Sequence, residues 1–206
     1  HMAMDLNGIS KDDILIVCAL ELETQGKLED YKTLYTGVGK VNATYKLVKY
    51  LTTHVARAKP KLIINYGTAG SRKIKKKTLV DCTKFVQRDM DVTGLGFMRG
   101  ETPFEDDPPL MLDFGITPFN TIGRRATCGS GDSFVEDRTQ YYGEVVDMEA
   151  YALAKVCYKE KIPFVSFKYI TDGADEQAHE DWEANLATGI EEFKNQVLVN
   201  IPIIFG

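Results

Sequence analysis

Carboxylates at the ends of apolar runs are the side chains of this 206-residue chain best placed to do chemistry. Asp147 and Glu149 follow the apolar pair Val145-Val146, and Asp172 follows the run that ends at Ile170. Charges rarely lie in such places without a partner or a task. Ligands of open α/β sheets bind just outside the carboxyl ends of the strands. These acids therefore predict a substrate site at one edge of a sheet.

Two further acids follow the first apolar run of the chain. Glu21 and Glu23 come directly after the run from Ile14 to Leu20. Residues of one parity point the same way on an extended segment, so we expect only one of the two to enter the site. A solvated turn is the equal alternative for both.

Helix capping is the alternative interpretation of the later acids. Asp147 is placed to cap a helix predicted from Met148 to Tyr158, and Asp172 could cap the turn that follows it. Capping does not explain Glu149, which the first helical turn carries toward the sheet edge.

Glycine-containing turns lie beside these acids. Gly67-Thr68-Ala69-Gly70 follows an apolar strand, where glycine lets backbone N–H groups approach a ligand and Thr68 can add a hydroxyl. The segment lacks the spacing and lysine of a P-loop, and Gly37-x-Gly39 lacks the third glycine of a dinucleotide fingerprint. The turn from Gly129 leads to Phe134, whose ring could stack on a flat base or anchor the core.

Strands and helices alternate along the chain, which predicts an α/β fold of three layers, with a central mixed, largely parallel sheet flanked by helices. We expect one domain over residues 1–206, with an irregular and functional loop over residues 91–120. The predicted strands cover residues 14–20, 62–64, 78–86, 122–127 and 163–170. The predicted helices cover residues 41–55 and 148–158, and a last helix carries Trp182, Leu186, Ile190, Phe193 and Val197 on one face.

The apolar stripe of the helix over residues 41–55 predicts its buried face. It consists of Val41, Tyr45, Val48, Leu51 and Val55.

Composition excludes several classes of function. The net charge of −5 argues against nucleic acid as a partner. No apolar run reaches the ~18 residues of a membrane span. The cysteines lack metal-ligand spacing, and Cys18 and Cys157 are expected in the core. The basic run from Arg72 to Lys77 is interpreted as a solvated loop, with an anion-binding or regulatory role as the alternative. Residues 1–4 are interpreted as a cloning remnant before a native Met4.

Seven short blocks, in this order, resemble the purine nucleoside phosphorylases and nucleosidases, and most of all the bacterial 5′-methylthioadenosine/S-adenosylhomocysteine nucleosidases. They are residues 19–23 (ALELE), 37–43 (GVGKVNA), 65–70 (NYGTAG), 89–93 (DMDVT), 131–135 (GDSFV), 146–150 (VDMEA) and 171–175 (TDGAD). The resemblance runs from about residue 13 to the final helix. It implies a phosphorylase/hydrolase-like fold and cleavage of an N-glycosidic bond without a cofactor.

The resemblance also implies roles for individual residues. Asp172 matches the acid that protonates N7 of the leaving purine, and Glu23 matches the residue that binds and deprotonates the attacking water. Glu149 matches the residue that holds the ribose hydroxyls. The other matched positions are expected to bind substrate: Met148, Phe134, Val135, Thr68, Ala69, Gly70, Asp147, Thr171, Lys168, Trp182, Leu95 and Pro103.

Several positions depart from the family pattern. Lys168 stands where the nucleosidases carry Arg, and Trp182 stands where they carry Phe near the 5′ group. The family's aromatic residue is missing at Leu95, so the 5′ pocket is expected to differ. Leu95 and Pro103 lie in a loop that resembles the one a neighbouring subunit lends to this pocket, which implies a homodimer.

The leading hypothesis is hydrolysis of a purine nucleoside such as 5′-methylthioadenosine or S-adenosylhomocysteine, releasing adenine. An acid, Glu23, faces the expected nucleophile position and would repel phosphate, which favours water. A phosphate-dependent phosphorylase and a non-catalytic nucleoside-binding or storage protein are the alternatives. The resemblance further implies a cytoplasmic enzyme of methionine salvage, with a small nucleoside as its partner and neither nucleic acid nor membrane.

Overall fold

The computed structural model describes residues 9–53 and 59–201. The strands are β1 (Ile14–Cys18), β2 (Thr33–Tyr35), β3 (Leu62–Gly70), β4 (Leu79–Gln87), β5 (Met111–Asp113), β6 (Ala126–Ser130), β7 (Val145–Asp147) and β8 (Phe164–Asp172). The α-helices are α1 (Glu21–Thr24), α2 (Lys40–Thr53), α3 (Ala150–Glu160), α4 (Ala178–Asn185) and α5 (Ile190–Gln196). Short 3₁₀ turns cover Lys11–Asp13, Thr93–Leu95 and Leu198–Asn200.

All eight strands join one mixed sheet, which confirms the predicted fold class. The path β2-β1-β3-β7-β6-β4-β5 crosses it, and β8 pairs with both β3 and β4. β3 is parallel to β1 and to β8, so three strands deliver their carboxyl ends to one edge. β4 runs antiparallel to β8 and to β5, which makes the sheet mixed.

Two hydrophobic cores cover the two faces of the sheet. Leu15 and Val17 of β1 pack into the core that α2 and α3 complete. Ile14 and Ile16 point the other way, into the core that includes Phe193 of α5. A run of apolar residues is thus buried on both faces, as is typical of a strand in a parallel sheet. Cys18 and Cys157 are buried in these cores, as expected.

The predicted helix over residues 41–55 forms, but of its predicted stripe only Leu51 is buried among the described residues. Val41 and Tyr45 are 78% and 57% exposed, and Val48 is exposed as well. The buried residues are Ala43, Leu47 and Leu51, which also repeat every fourth position and pack against α3. Two apolar stripes compete on this helix, and periodicity alone does not choose between them. Val55 lies outside the described residues.

The predicted last helix is wrong, because the chain forms two helices, α4 and α5, with a break at residues 186–189. At the break Gly189 passes against two tyrosines. A Cβ atom there would lie 2.3 Å from the ring of Tyr169 and 2.6 Å from the hydroxyl of Tyr66. The break separates Trp182 from Phe193, which belongs to the core, so the five apolar residues do not share one face.

The bounds of several strands also differ from the predicted ones. β1 ends at Cys18, and β3 extends to Gly70, so the Gly67–Gly70 segment is strand rather than turn. The predicted return to the sheet at residues 122–127 occurs at Ala126–Ser130. The loop over residues 91–120 contains β5 at Met111–Asp113, which pairs with β4 at the edge of the sheet.

Candidate active site

A cavity of about 370 Å³ opens at the carboxyl ends of β1, β3 and β8. Glu23, Glu149 and Asp172 meet in this cavity, although the first lies more than a hundred residues before the other two in the sequence. The predicted residues that line it are Glu23, Thr68, Ala69, Gly70, Phe134, Val135, Asp147, Met148, Glu149, Thr171, Asp172 and Trp182.

Glu23 enters this cavity from the single turn of α1, whereas Glu21 is exposed. Its side chain is buried, with Oε2 accepting the backbone N–H of Thr68 at 2.8 Å and Oε1 accepting that of Leu20 at 3.3 Å. Burial raises the pKa of Glu23, although hydrogen bonds from Thr68 and the charge of Lys168 oppose the rise. The carboxyl is therefore held in place and can take a proton.

Glu149 lies at the junction between β7 and α3. Its Oε2 accepts the backbone N–H of Gly39 at 2.9 Å. Gly39 has a φ of +97°, a left-handed conformation that glycine adopts without strain. Burial, followed by the charge of Asp147, raises the pKa of Glu149 to about 8.

Asp172 is the last residue of β8 and is buried. Its Oδ1 accepts the backbone N–H of Ala174 at 2.9 Å, and its Oδ2 accepts the hydroxyl of Thr171 at 2.8 Å. Burial raises the pKa of Asp172, which keeps its protonated form available at a higher pH than for a solvated aspartate. A buried carboxyl of this kind suits a general acid.

Asp147 and Lys168 form a buried ion pair, with the Lys168 Nζ 2.9 Å from Asp147 Oδ2. The remaining contacts of Asp147 are also to protein: its Oδ1 accepts the hydroxyl of Ser130, and its Oδ2 accepts the N–H groups of Glu149 and Ala150 at 3.1 and 2.8 Å. Burial opposes ionisation, but Lys168 and these donors hold the pKa of Asp147 below its usual range.

This pairing changes the expectation that both residues bind substrate. Asp147 borders the cavity while its carboxylate accepts bonds from protein donors, including the N–H of Ala150, the first residue of α3. The N-cap of α3 is Glu149 rather than Asp147, because the helix begins two residues later than predicted. Lys168 is not among the described residues that line the cavity, and its charge serves Asp147. Leu95 and Pro103 also lie away from the lining, and Leu95 is 75% exposed.

Two aromatic side chains also line the cavity. The rings of Phe134 and Trp182 meet edge to face, with centroids 6.3 Å apart. The Trp182 indole donates to the Thr68 hydroxyl at 3.2 Å.

Arg88 is a site residue that the sequence interpretation missed. It is buried and lines the cavity. Its guanidinium donates to the backbone carbonyls of Gly131, Ser133 and Asp147, which ties the segment before Phe134 to the end of β7. A charge at the end of an apolar run was the signal used for the acids, and the same signal marks Arg88 after β4. The other unpredicted lining residues are Ala19, Leu20, Val38, Ser133, Val146 and His179.

The basic run at residues 72–77 is anchored in part. Lys76 forms an ion pair of 3.0 Å with Asp181 of α4, and the backbone N–H of Arg72 donates to the hydroxyl of Tyr141 at 3.1 Å.

Comparison with known proteins identifies the family. A family model for the phosphorylase superfamily matches residues 122–199. The 5′-methylthioadenosine/S-adenosylhomocysteine nucleosidase of Haemophilus ducreyi is 30% identical over 193 residues, covering 84% of this chain and 82% of the relative. The nucleosidase of the same name from Haemophilus influenzae strain PittEE is 32% identical over 194 residues, with the same coverage of 84% and 82%.

Solved structures share the fold. The futalosine hydrolase of Helicobacter pylori superposes with a TM-score of 0.77 at 20% identity, covering 91% of this chain and 97% of that one. A mutant Helicobacter pylori nucleosidase with 5′-methylthioadenosine in its active site gives a TM-score of 0.73 at 20% identity, covering 95% and 98%.

The fold, the cavity and these matches define a class, and the chain belongs to the superfamily of purine nucleoside phosphorylases and nucleosidases. The sequence relatives within it are 5′-methylthioadenosine/S-adenosylhomocysteine nucleosidases, which confirms the resemblance read from the seven blocks. Within residues 9–53 and 59–201, the helices are too short or too polar to cross a membrane.

Proposed function

We propose that this protein hydrolyses the N-glycosidic bond of a 5′-modified adenosine, such as 5′-methylthioadenosine or S-adenosylhomocysteine, and releases adenine. The observation that carries the proposal is the convergence of Glu23, Glu149 and Asp172 on one cavity, each with a pKa raised by burial. Perturbed carboxyls grouped in a cleft are typical of active sites. The named activity of the sequence relatives points to the same reaction.

In the proposed mechanism, the bond between C1′ and N9 breaks and its electron pair moves onto the purine. Asp172 donates its proton to N7, so the base leaves neutral, and a positioned acid of this kind contributes about 10²–10⁴-fold. The ribose hydroxyls donate hydrogen bonds to Glu149, which favours its ionised form over the neutral form of the free protein, and that charge stabilises the cationic sugar of the transition state. Water adds to C1′ while Glu23 takes one of its protons.

Water is the proposed nucleophile because, among the described residues, no unpaired positive side chain lies beside Glu23 to bind a phosphate ion. A phosphate site needs concentrated positive charge, usually from arginine and backbone amides. Lys168 is already paired with Asp147, and Arg88 donates to backbone carbonyls. Glu23 would repel a phosphate dianion.

We also propose that the protein acts as a homodimer in which Leu95 and Pro103 reach the partner's 5′ pocket. Exposed apolar side chains on α2 and on the loop after β4 support this, since contact with a second copy would remove them from water. They include Val41, Tyr45, Leu95, Met98 and Phe104. Sedimentation at micromolar concentration should give twice the monomer mass, and Leu95→Asp should shift it to the monomer.

We propose a cytoplasmic location, which the buried free cysteines Cys18, Cys82, Cys128 and Cys157 support, because thiols stay reduced there. A place in methionine salvage is proposed from the substrate class alone. Fractionation of the source cells should recover the protein with reduced thiols.

A nucleoside panel tests the proposed function, with the released base measured by chromatography. The panel contains 5′-methylthioadenosine, S-adenosylhomocysteine, adenosine, inosine and futalosine, each with and without phosphate. We expect adenine and free ribosyl sugar from the first two, at rates that phosphate does not change. A strict need for phosphate would establish the phosphorylase, and tight binding without product would establish the storage protein.

A further inference from the structure

The N-terminus of α2 contacts two carboxylates, those of Glu149 and Asp132. Gly39, the residue before the helix, donates its N–H to Glu149 Oε2 at 2.9 Å. Lys40, the first residue of the helix, donates its N–H to Asp132 Oδ1 at 2.8 Å. The first N–H groups of a helix have no partner within it, and the helix dipole favours negative charge there. The start of α2 therefore holds one of the three acids of the cavity.

The Gly39 N–H is the one protein donor to the Glu149 carboxyl within residues 9–53 and 59–201. It occupies Oε2 and leaves Oε1 available to the ribose hydroxyls of the proposed substrate. The direction of Oε1 thus depends on where the Gly39 N–H is held. Gly37 and Gly39 have φ values of +81° and +97°, and glycine restrains the backbone least, so this turn needs an anchor from outside.

The Lys40 side chain supplies that anchor. Its Nζ lies 2.8 Å from Asp89 Oδ1 and 3.9 Å from Asp132 Oδ2, and it also donates to Gln87 Oε1. Asp89 in turn accepts the N–H of Asp132 at 2.9 Å. The Lys40 side chain is only 17% exposed, so water screens these contacts less than those of a surface ion pair. One cation thus ties the start of α2 to the chain segments that follow β4 and β6.

We propose that Lys40 is a positioning residue that joins Asp89 to Asp132 and so holds the Gly39 N–H against Glu149. The inference rests on the proposed function, in which Glu149 receives the ribose hydroxyls. Lys40 is not among the described residues that line the cavity, so it acts through the backbone at Gly39 and not on the substrate itself.

Lys40→Met tests this role, because it keeps an unbranched apolar side chain and removes the ammonium. We expect kcat/KM to fall by about 10-fold, which corresponds to roughly one charged hydrogen bond. Lys46→Met is the matched control, because it removes the same charge at an exposed position of the same helix. An equal loss in the control would assign the effect to net charge and overturn the positioning role.

The pH profile separates positioning of Glu149 from a general loosening of the fold. Burial raises the pKa of Glu149, and the Gly39 N–H opposes the rise. Losing that bond should move the limb of the kcat/KM profile that reports Glu149 to higher pH. The charges of Asp147, Lys168 and Glu23 also act on Glu149, and Lys40→Met leaves all three in place. A lower rate with an unmoved limb would overturn the proposal.

Asp132→Ala gives a second test, because it removes the acceptor of the Lys40 N–H at an exposed residue. We expect the same shift of the limb, even if Lys40→Met does not fold. The double variant should lose less than the sum of the two single losses, because both residues fix the same helix start. Fully additive losses would show separate roles and would overturn the proposal.

Amide exchange of the free protein gives a readout independent of turnover. We expect the Gly39 N–H to be protected in the wild type and in Lys46→Met, and to exchange faster in Lys40→Met. Equal protection in all three proteins would overturn the inference. If the wild-type chain releases no base from any nucleoside, the proposed function fails, and exchange at Gly39 still tests the anchor. If base is released and Lys40→Met is normal in rate and pH profile, only this inference fails.

Discussion

Gly70 and Asp172 approach so closely that a Cβ atom at position 70 would lie 2.5 Å from Asp172 Oδ1. β3 and β8 pair as parallel neighbours, and their register shifts between Ala69 and Gly70. The position of Asp172, the candidate acid, thus depends on the neighbouring strand having a glycine at position 70. The position of Asp172 is set by backbone packing as much as by its own hydrogen bonds.

Gly70→Ala should therefore displace the acid. We expect at least about a 10-fold loss of kcat and about 1–3 kcal/mol of lost stability from overpacking. Gly94→Ala is the matched control, because a Cβ atom there meets nothing within 4 Å. Steady-state kinetics and urea unfolding measure the two effects. Equal kinetics for both variants would contradict a steric role for Gly70.

Asp172→Asn should preserve the fold and lower kcat by about 10²–10⁴-fold, since an amide cannot donate a catalytic proton. Because burial raises the pKa of Asp172, its ionised form is disfavoured in the folded protein. The variant should consequently unfold at the same temperature as the wild type or a higher one near pH 8. Base release and a thermal scan check both points. Near-normal turnover would remove Asp172 from the acid role.

Glu149→Gln should gain relative stability as the pH rises. Folding raises the pKa of Glu149 from 4.5 to about 8, so the neutral carboxyl is favoured in the fold. Its contribution to stability is complete below about pH 4.5 and is lost as the pH rises through 8. We expect the variant to gain on the order of 1–3 kcal/mol relative to the wild type between pH 5 and pH 9. It should also weaken ribose binding and turnover.

Urea unfolding at the two pH values measures this gain. Glu21→Gln is the matched control, because it changes an exposed carboxylate near the same cavity. A gain of equal size in the control would assign the effect to net charge rather than to the burial of Glu149.

Lys168→Met should be strongly destabilising, by about 3–5 kcal/mol, because it leaves Asp147 as a buried charge without its partner. The double variant Asp147→Asn with Lys168→Met should recover much of this loss. Chemical unfolding of the two single variants and the double variant measures the coupling. Additive losses would show that Lys168 stabilises the fold through other contacts.

Arg88→Lys should loosen the segment that leads to Phe134. A lysine is a compact point charge and cannot span the carbonyls of Gly131, Ser133 and Asp147 as the guanidinium fork does. We expect KM to rise by about 10-fold, corresponding to roughly one lost charged hydrogen bond, and amide exchange to quicken at residues 129–135. Arg124→Lys is the control, since Arg124 pairs with Glu144 at the exposed surface. Unchanged exchange in Arg88→Lys would contradict this role.

The sequence predicted the buried strands β1, β3 and β8, because a run buried on both faces leaves a continuous apolar signal. It missed β2 and β5, which are three residues long and carry no such run. The expectation that one of Glu21 and Glu23 would enter the site is met by Glu23, but strand alternation is not the reason, because positions 21 and 23 have the same parity. The segment is the helical turn α1, and the rotation of the helix separates the two side chains.

The buried face of α2 could not be chosen, because the stripe at Ala43, Leu47 and Leu51 and the predicted stripe both repeat at helical intervals and share Leu51. Which stripe is buried depends on α3, more than 100 residues away.

The break between α4 and α5 could not be predicted for the same reason, because it depends on residues far away in the sequence. Nothing near Gly189 in the sequence shows that Tyr66 and Tyr169 occupy the space where a continuous helix would pass. Likewise, the ion pair of Lys168 with Asp147 depends on which strands become neighbours. The order of the strands in the sheet cannot be read from the runs themselves, so these partners could be identified only in the folded chain.

The pairing of β3 with β8 also has a consequence for synthesis in the cell. Residues 63 to 70 of β3 align with residues 164 to 172 of β8, so the middle of the sheet joins segments made about 100 residues apart. Such high contact order slows folding, and domains form as units while the ribosome delivers the chain. Until β8 has left the ribosome, the edge of β3 that pairs with it has no partner strand. Competent enzyme can arise only once β8 has emerged and paired with β3, and chaperones that shield strand edges are expected to raise its yield.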